Sequence, residues 1–181
     1  MDISVLPMSD PRLRVVSEVV MDIADVQFQL ESQTLKTCLD TFRAERGFGR
    51  GIAAPQIGIA KRFIALNLGQ DSFTIINPEI TWRSDETFTM WDDCMCFPDL
   101  LVKVRRHSSI SLRFVDEKGE SQIWEKIERS VSELLQHEID HLDGVLATDL
   151  AIDEDSVIRR AQLEENFEKF SALVDYVILP T

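Results

Sequence analysis

The stretch HEIDH at 137 to 141 sets two histidines four positions apart with a glutamate directly after the first. Side chains four apart on a helix share one face, so the imidazoles of His137 and His141 can approach one cation. Glu138 then reaches a water held by that cation. This is a pattern for hydrolysis: a divalent ion lowers the pKa of its water from about 15.7 toward about 7 and polarises the carbonyl under attack. Glu138 is expected to accept the water proton and hand it to the leaving amine. His107, beside Arg105 and Arg106, has no such context and is expected to be structural.

Two histidines leave the site one protein ligand short. A metzincin would carry a third histidine six residues after His141, but that position is Ala147, so that class is excluded. A downstream glutamate would complete another kind of metallopeptidase; Glu164, Glu165 and Glu168 are available but read better as solvated acids of the last helix. The preferred third ligand is Cys94, in WDDCMCFPDL, because one thiolate and two imidazoles leave a fourth position open for water. Cys96 competes with it. In an extended segment the two side chains point to opposite faces, so only one would face the ion. On spacing alone, both cysteines also suit a role as small buried apolar groups.

Three segments, in this order, resemble the peptide deformylase family. GRGIAAPQ at 49 to 56 is similar to its GxGxAAxQ loop, DDCMCFP at 92 to 98 to its EGCLS segment, and QHEIDHLDG at 136 to 144 to its metal helix almost letter for letter. SDPRLR near the start and INPEI at 76 to 80 are similar as well. The resemblance implies metal ligation by Cys94, His137 and His141, with Glu138 as general base and acid. It implies that the Gln56 side-chain amide and the Met95 backbone N–H donate to the developing oxyanion, where each such donor is worth about 3 to 4 kcal/mol. Gly51, without a Cβ, would let its loop approach an extended peptide.

The implied reaction is removal of the formyl group from the terminal methionine of a peptide or nascent chain, including one still on the ribosome, with release of formate. The implied ion is Fe²⁺, although Zn²⁺, Ni²⁺ or Co²⁺ can use the same ligands. An iron site with a thiolate is prone to oxidation.

The chain departs from the family pattern at Asp92, Asp93, Met95 and Cys96, where the family has glutamate, glycine, leucine and serine. Asp92 keeps a carboxylate for a ligand histidine, at shorter reach. Arg50 replaces an aliphatic residue bordering the methionine pocket, and Glu133 and Leu134 occupy further positions near it. Arg50 and Glu133 carry opposite charges and are expected to pair across the pocket mouth, making it more polar or narrower. Leu101 replaces an arginine that engages substrate backbone. Three alternatives stand beside deformylation: a related hydrolase with a shifted substrate, a metallopeptidase with a downstream glutamate, and a noncatalytic metal- or peptide-binding relative.

These residues need a scaffold, and 181 residues suffice for one sizeable core, read as a single domain over 1–181. The apolar run and cleavage site of a secretory signal are missing at the start, and no eighteen apolar residues follow one another, so a cytosolic protein without membrane partners is expected. Three irregularly spaced cysteines fit a reducing compartment better than a disulfide framework. A formal charge of -13 argues against nucleic-acid binding.

Residues 25 to 46 carry apolar positions Val26, Phe28, Leu30, Leu35, Cys38, Leu39 and Phe42 at helical offsets, with Asp25 as cap and a stop at Gly47. The following GFGRGIAAPQIG reads as a loop. Segments 62–68, 73–80, 101–104 and 108–115 read as strands, and DEKGE turns the last into a return strand at 121–127. Residues 129–143 and about 154–174 read as helices. Strands grouped ahead of a central helix indicate α+β: short, largely antiparallel strands around the metal-binding helix, with a helix at the C-terminal end.

Overall fold

The computed structural model describes residues 4–178. The first long helix, α1 (Val26–Arg46), starts where the Asp25 carboxylate accepts from Phe28 N–H at 3.1 Å and ends at Gly47, whose φ of 74° is left-handed. Phe28, Ser32, Leu35 and Leu39 form its buried stripe, whereas Val26 and Leu30 are exposed, so the apolar face is narrower than the residue types suggest.

Two antiparallel sheets follow. The larger contains β1 (Gly51–Ala53), β2 (Phe63–Leu66), β3 (Phe73–Arg83), β6 (Ile110–Val115) and β7 (Ser121–Ile127), in that spatial order. The smaller contains β4 (Thr87–Asp92), β5 (Leu100–His107) and β8 (Val157–Arg159). The turn between β6 and β7 is tied by Asp116, whose carboxylate accepts from the N–H groups of Lys118 and Glu120 at 2.9 Å each, with Gly119 at φ 86°.

Helix α2 (Arg129–Leu142) runs through the middle of this scaffold. Leu134, Leu135, Ile139 and Leu142 pack on Ile64, Leu66, Ile75, Ile110, Leu112 and Phe114 of the large sheet. Each fully buried leucine of this kind contributes about 1.5–3 kcal/mol. Polar Gln136, His137, Glu138 and His141 are buried too, on the sides of the helix that the sheet leaves for the site.

Three expectations change. Gly51–Ala53, read as loop, is an edge strand, because its backbone pairs with β2 in the register Gly51↔Leu66 to Ala53↔Ile64. Strand β4, which follows the turn residues Ser84 and Asp85, was not anticipated. The C-terminal helix expected over 154–174 is instead β8 followed by two short helices, α3 (Arg160–Glu165) and α4 (Phe167–Ser171). Leu101 and Val102 take Ile158 and Val157 as ladder partners, and Asn166 breaks the helix at φ -134°, ψ 48°. Trp91, Leu101 and Ile158 form a small core that Leu163, Phe170 and Val174 cover. No helix among the described residues is long and apolar enough to cross a membrane.

Candidate metal centre

Helix α2 presents His137 and His141 on one face, their Nε2 atoms 3.1 Å apart. The loop after β4 brings Cys94 Sγ to 3.2 Å from His141 Nε2. Cys94 Sγ, Cys96 Sγ and a ring nitrogen of His141 all lie within 4.8 Å of one another, a group able to hold a metal ion. The sequence reading set the two cysteines on opposite faces of an extended segment. The segment is a turn, closed by Phe97 N–H donating to the Cys94 carbonyl at 3.2 Å, and both sulfurs end on the same side.

The donors fit a divalent cation. Four buried soft or borderline ligand atoms converge, and packing two imidazole nitrogens and a sulfur at hydrogen-bond distance makes sense if lone pairs point at a shared centre. Burial and the neighbouring His137 hold His141 well below the usual imidazole range, so it is a neutral donor. Its Nδ1 is buried without a partner among the described residues.

His137 is oriented from behind. Its Nδ1 lies 3.0 Å from one Asp92 oxygen and 3.1 Å from the other. Burial disfavours charge on the ring, but the Asp92 carboxylate outweighs it and lifts His137 to about 9. Asp92 is itself buried, and His137 together with Arg106 holds it well below the ordinary carboxylate range. Arg106 Nη2 donates to Asp92 at 2.8 Å and Nη1 to Asp140, so a guanidinium anchors the carboxylate that anchors the imidazole. Sequence reading had no role for Arg106. Its signal is the period-two burial of β5, in which Val102, Val104 and Arg106 face inward: an arginine on the buried side of a strand requires buried anions.

Glu138 is 3% exposed, and its Oε2 has no partner among the described residues. Burial pushes it up to about 7, against the pull of His137. That suits a group that must both take and give a proton near neutrality. A Cβ at Gly51 would stand 3.0 Å from Glu138 Oε1 and 3.1 Å from Leu134 Cδ1, so this glycine makes room for the acid as well as exposing backbone on the free edge of β1.

Gln56 has its Oε1 fixed by Ala53 N–H at 2.7 Å, which turns its amide nitrogen toward Cys94 and Cys96, 3.6 Å from each sulfur. The Met95 N–H has no protein acceptor among the described residues. These are the two donors expected at the oxyanion position.

A cavity of about 390 Å³ opens in front of this group and is lined by Arg50, Gly51, Glu133, Leu134 and Leu101 among others. Arg50 donates to Glu133 through Nη2 and to the Ser130 carbonyl at 2.6 Å through Nη1, with Glu133 almost fully buried. Burial pushes Glu133 up to about 7, further than Arg50 draws it down. Glu164, Glu165 and Glu168 are exposed on α3 and α4; Glu164 reaches only the cavity rim. His107 is structural, with Nδ1 2.7 Å from the Ser84 carbonyl and its own carbonyl accepting from Ser132 and Gln136.

Residues 3–156 match the family model for polypeptide deformylases. The peptide deformylase of Brachyspira hyodysenteriae is 34% identical over 144 residues, which covers 75% of this chain and 73% of that one. The crystal structure of peptide deformylase from Thermotoga maritima aligns with a TM-score of 0.75 at 29% identity, covering 83% of this chain and 98% of the other. That of a peptide deformylase from Synechococcus elongatus in complex with actinonin gives 0.74 at 28% identity, covering 93% and 85%.

Proposed function

This chain belongs to the peptide deformylase family, and from that premise we propose that Cys94, His137 and His141 hold one divalent ion beside which Glu138 moves the proton of a deformylation. The observation that carries the reading is the buried convergence of one thiol and two imidazoles next to a carboxyl oxygen that has no partner among the described residues. The substrate is a peptide or nascent chain bearing an N-formyl group, and the products are formate and a free amine. The ion supplies Lewis acidity and a water acidified toward neutrality. Fe²⁺ is the native choice we infer, with Zn²⁺, Ni²⁺ or Co²⁺ as workable replacements for a mixed sulfur and nitrogen donor set.

Glu138 accepts the proton of the attacking water through its unpartnered oxygen and passes it to the departing nitrogen. Gln56 Nε2 and the Met95 N–H face the position where the formyl oxygen gains charge. An extended substrate backbone adds to the free edge of β1, which pairs only with β2 among the described residues. We infer a cytosolic enzyme acting on chains as they leave the ribosome, in keeping with its acidic composition. Replacing Cys94 by alanine is expected to abolish both metal retention and formate release from formylmethionyl peptides. Retention of the ion by Cys94→Ala, with loss on Glu164→Ala instead, would point to a glutamate-ligated peptidase.

The Arg50–Glu133 pair favours a second reading of the same site, in which the pocket for the first side chain is narrower and more polar than methionine requires. Replacing both residues by leucine is expected to raise kcat/KM for formylmethionyl peptides relative to formylseryl ones. An unchanged ratio would show that the pair does not face the substrate.

A further inference from the structure

Position 96 adds a thiol that hydrolysis does not use. The turn at 94–97 brings its sulfur within 4.8 Å of Cys94 Sγ, and the Cys96 N–H donates to that sulfur at 3.4 Å. The Gln56 amide nitrogen lies 3.6 Å from each sulfur. Each cysteine also lines a cavity of its own. Cys94 lines the cavity that holds Glu138, whereas Cys96 lines one of about 720 Å³ between residues 4–7 and α1. A small solute therefore has a route to each.

We propose that Cys96 is a resolving thiol, which makes oxidation of Cys94 reversible by trapping it as a Cys94–Cys96 disulfide. With hydrogen peroxide as oxidant, the Cys94 thiolate attacks one peroxide oxygen, the O–O bond breaks, and the products are a sulfenic acid and hydroxide. That hydroxide takes the Cys96 thiol proton as water, and the Cys96 thiolate attacks the Cys94 sulfur; the S–S bond forms, the S–O bond breaks, and the departing hydroxide becomes the second water with the proton that Cys94 gave up on ionising. Two thiols and one peroxide give one disulfide and two waters. Without a neighbouring thiol, the sulfenic acid goes on to sulfinic and sulfonic acids that ordinary reductants do not reverse. A bridge between residues two apart closes a small ring, and strained bridges are readily reduced by cellular thiols. While it lasts, the sulfur cannot ligate, so the ion is released. That consequence rests on the proposed ligand role of Cys94; formation of the disulfide does not.

The test uses the full-length chain loaded with zinc, in a Cys38→Ser background that removes the remaining, half-buried thiol. Peroxide is added, zinc release is followed with a chromogenic chelator, and the peptide spanning 94–96 is weighed, with Met95 oxidation scored separately by fragmentation. The expected result is loss of both thiols and two hydrogens from that peptide, reversed by dithiothreitol with zinc capacity restored. Cys96→Ser should instead gain oxygen on Cys94 and recover less than about a tenth of its capacity. Oxygen on Cys94 with Cys96 still a free thiol in the parent protein would overturn the proposal, and that arm decides even if the serine variant fails to fold. A disulfide that forms without releasing zinc would leave the resolving role standing and remove Cys94 from the ligand set.

Discussion

At the scale of residues, the site is a relay of charges ending on an imidazole: Arg106 holds Asp92, and Asp92 holds His137. Arg106→Leu should therefore hurt twice. It leaves a buried carboxylate without its cation, at a cost of about 3–5 kcal/mol, and it loosens His137, lowering metal affinity by about 10–100-fold. Thermal unfolding and a competitive chelator titration would show both; a destabilised variant with unchanged affinity would mean that Asp92 orients the ring unaided. Gln56→Leu is expected to lower kcat by about 100-fold or more with little change in KM, since its amide acts on charge present only in the transition state. An equal rise in KM with unchanged kcat would contradict that role. The histidines, Glu138, Cys94 and Gln56 could be picked out from spacing and motif. Arg106 could not, because it needs the burial phase of β5; Cys96 was legible as a competing ligand, but its place beside Cys94 was not, because that needs the turn at 94–97.

At the scale of elements, α1, α2 and the β6–β7 hairpin were legible because each carries a local signal of its own: cap and periodicity in α1, periodicity in α2, and turn chemistry in the hairpin. The C-terminal segment was not. Its helix-forming composition competes with a free strand edge at β5, and pairing of Val157 and Ile158 there wins over local propensity. What holds the following helices down is Trp91, which packs with Leu101 and Ile158 and donates through Nε1 to the Phe170 carbonyl at 2.8 Å. Trp91→Ala should cost about 3–5 kcal/mol and speed proteolytic cleavage beyond residue 156. Unfolding curves and limited proteolysis test this, and a variant as stable as the parent would mean that the covering helices add nothing. Leu101 belongs to this core as well as to the cavity lining, so an apolar residue there is covered by Trp91 and Ile158.

At the scale of the whole molecule, metal binding and proton release are linked. Burial raises the Cys94 thiol well above its usual value, and Asp92 keeps His137 near 9 despite burial, so both groups carry protons at neutral pH that an ion must displace. Affinity for zinc should rise with pH, with about one to two protons released per ion at neutrality, measurable by calorimetry in buffers of different ionisation heat. A pH-independent affinity would show that those protons are already gone. Overall class and the order of the motifs were accessible from the sequence, since the HEIDH helix and the glycine segment keep their spacing; the division into two sheets was not, because it depends on β3 pairing with β6 rather than with β4, and on β8 returning from the C-terminal end to pair with β5. The central claim meets its most direct test in one paired measurement: metal content and formate release from a formylmethionyl peptide, on anaerobic preparations of the parent protein and Glu138→Gln. The account predicts about one ion per chain in both and release lost by at least about 100-fold in the variant. Equal release from both proteins, or none from a fully metallated parent, would contradict it.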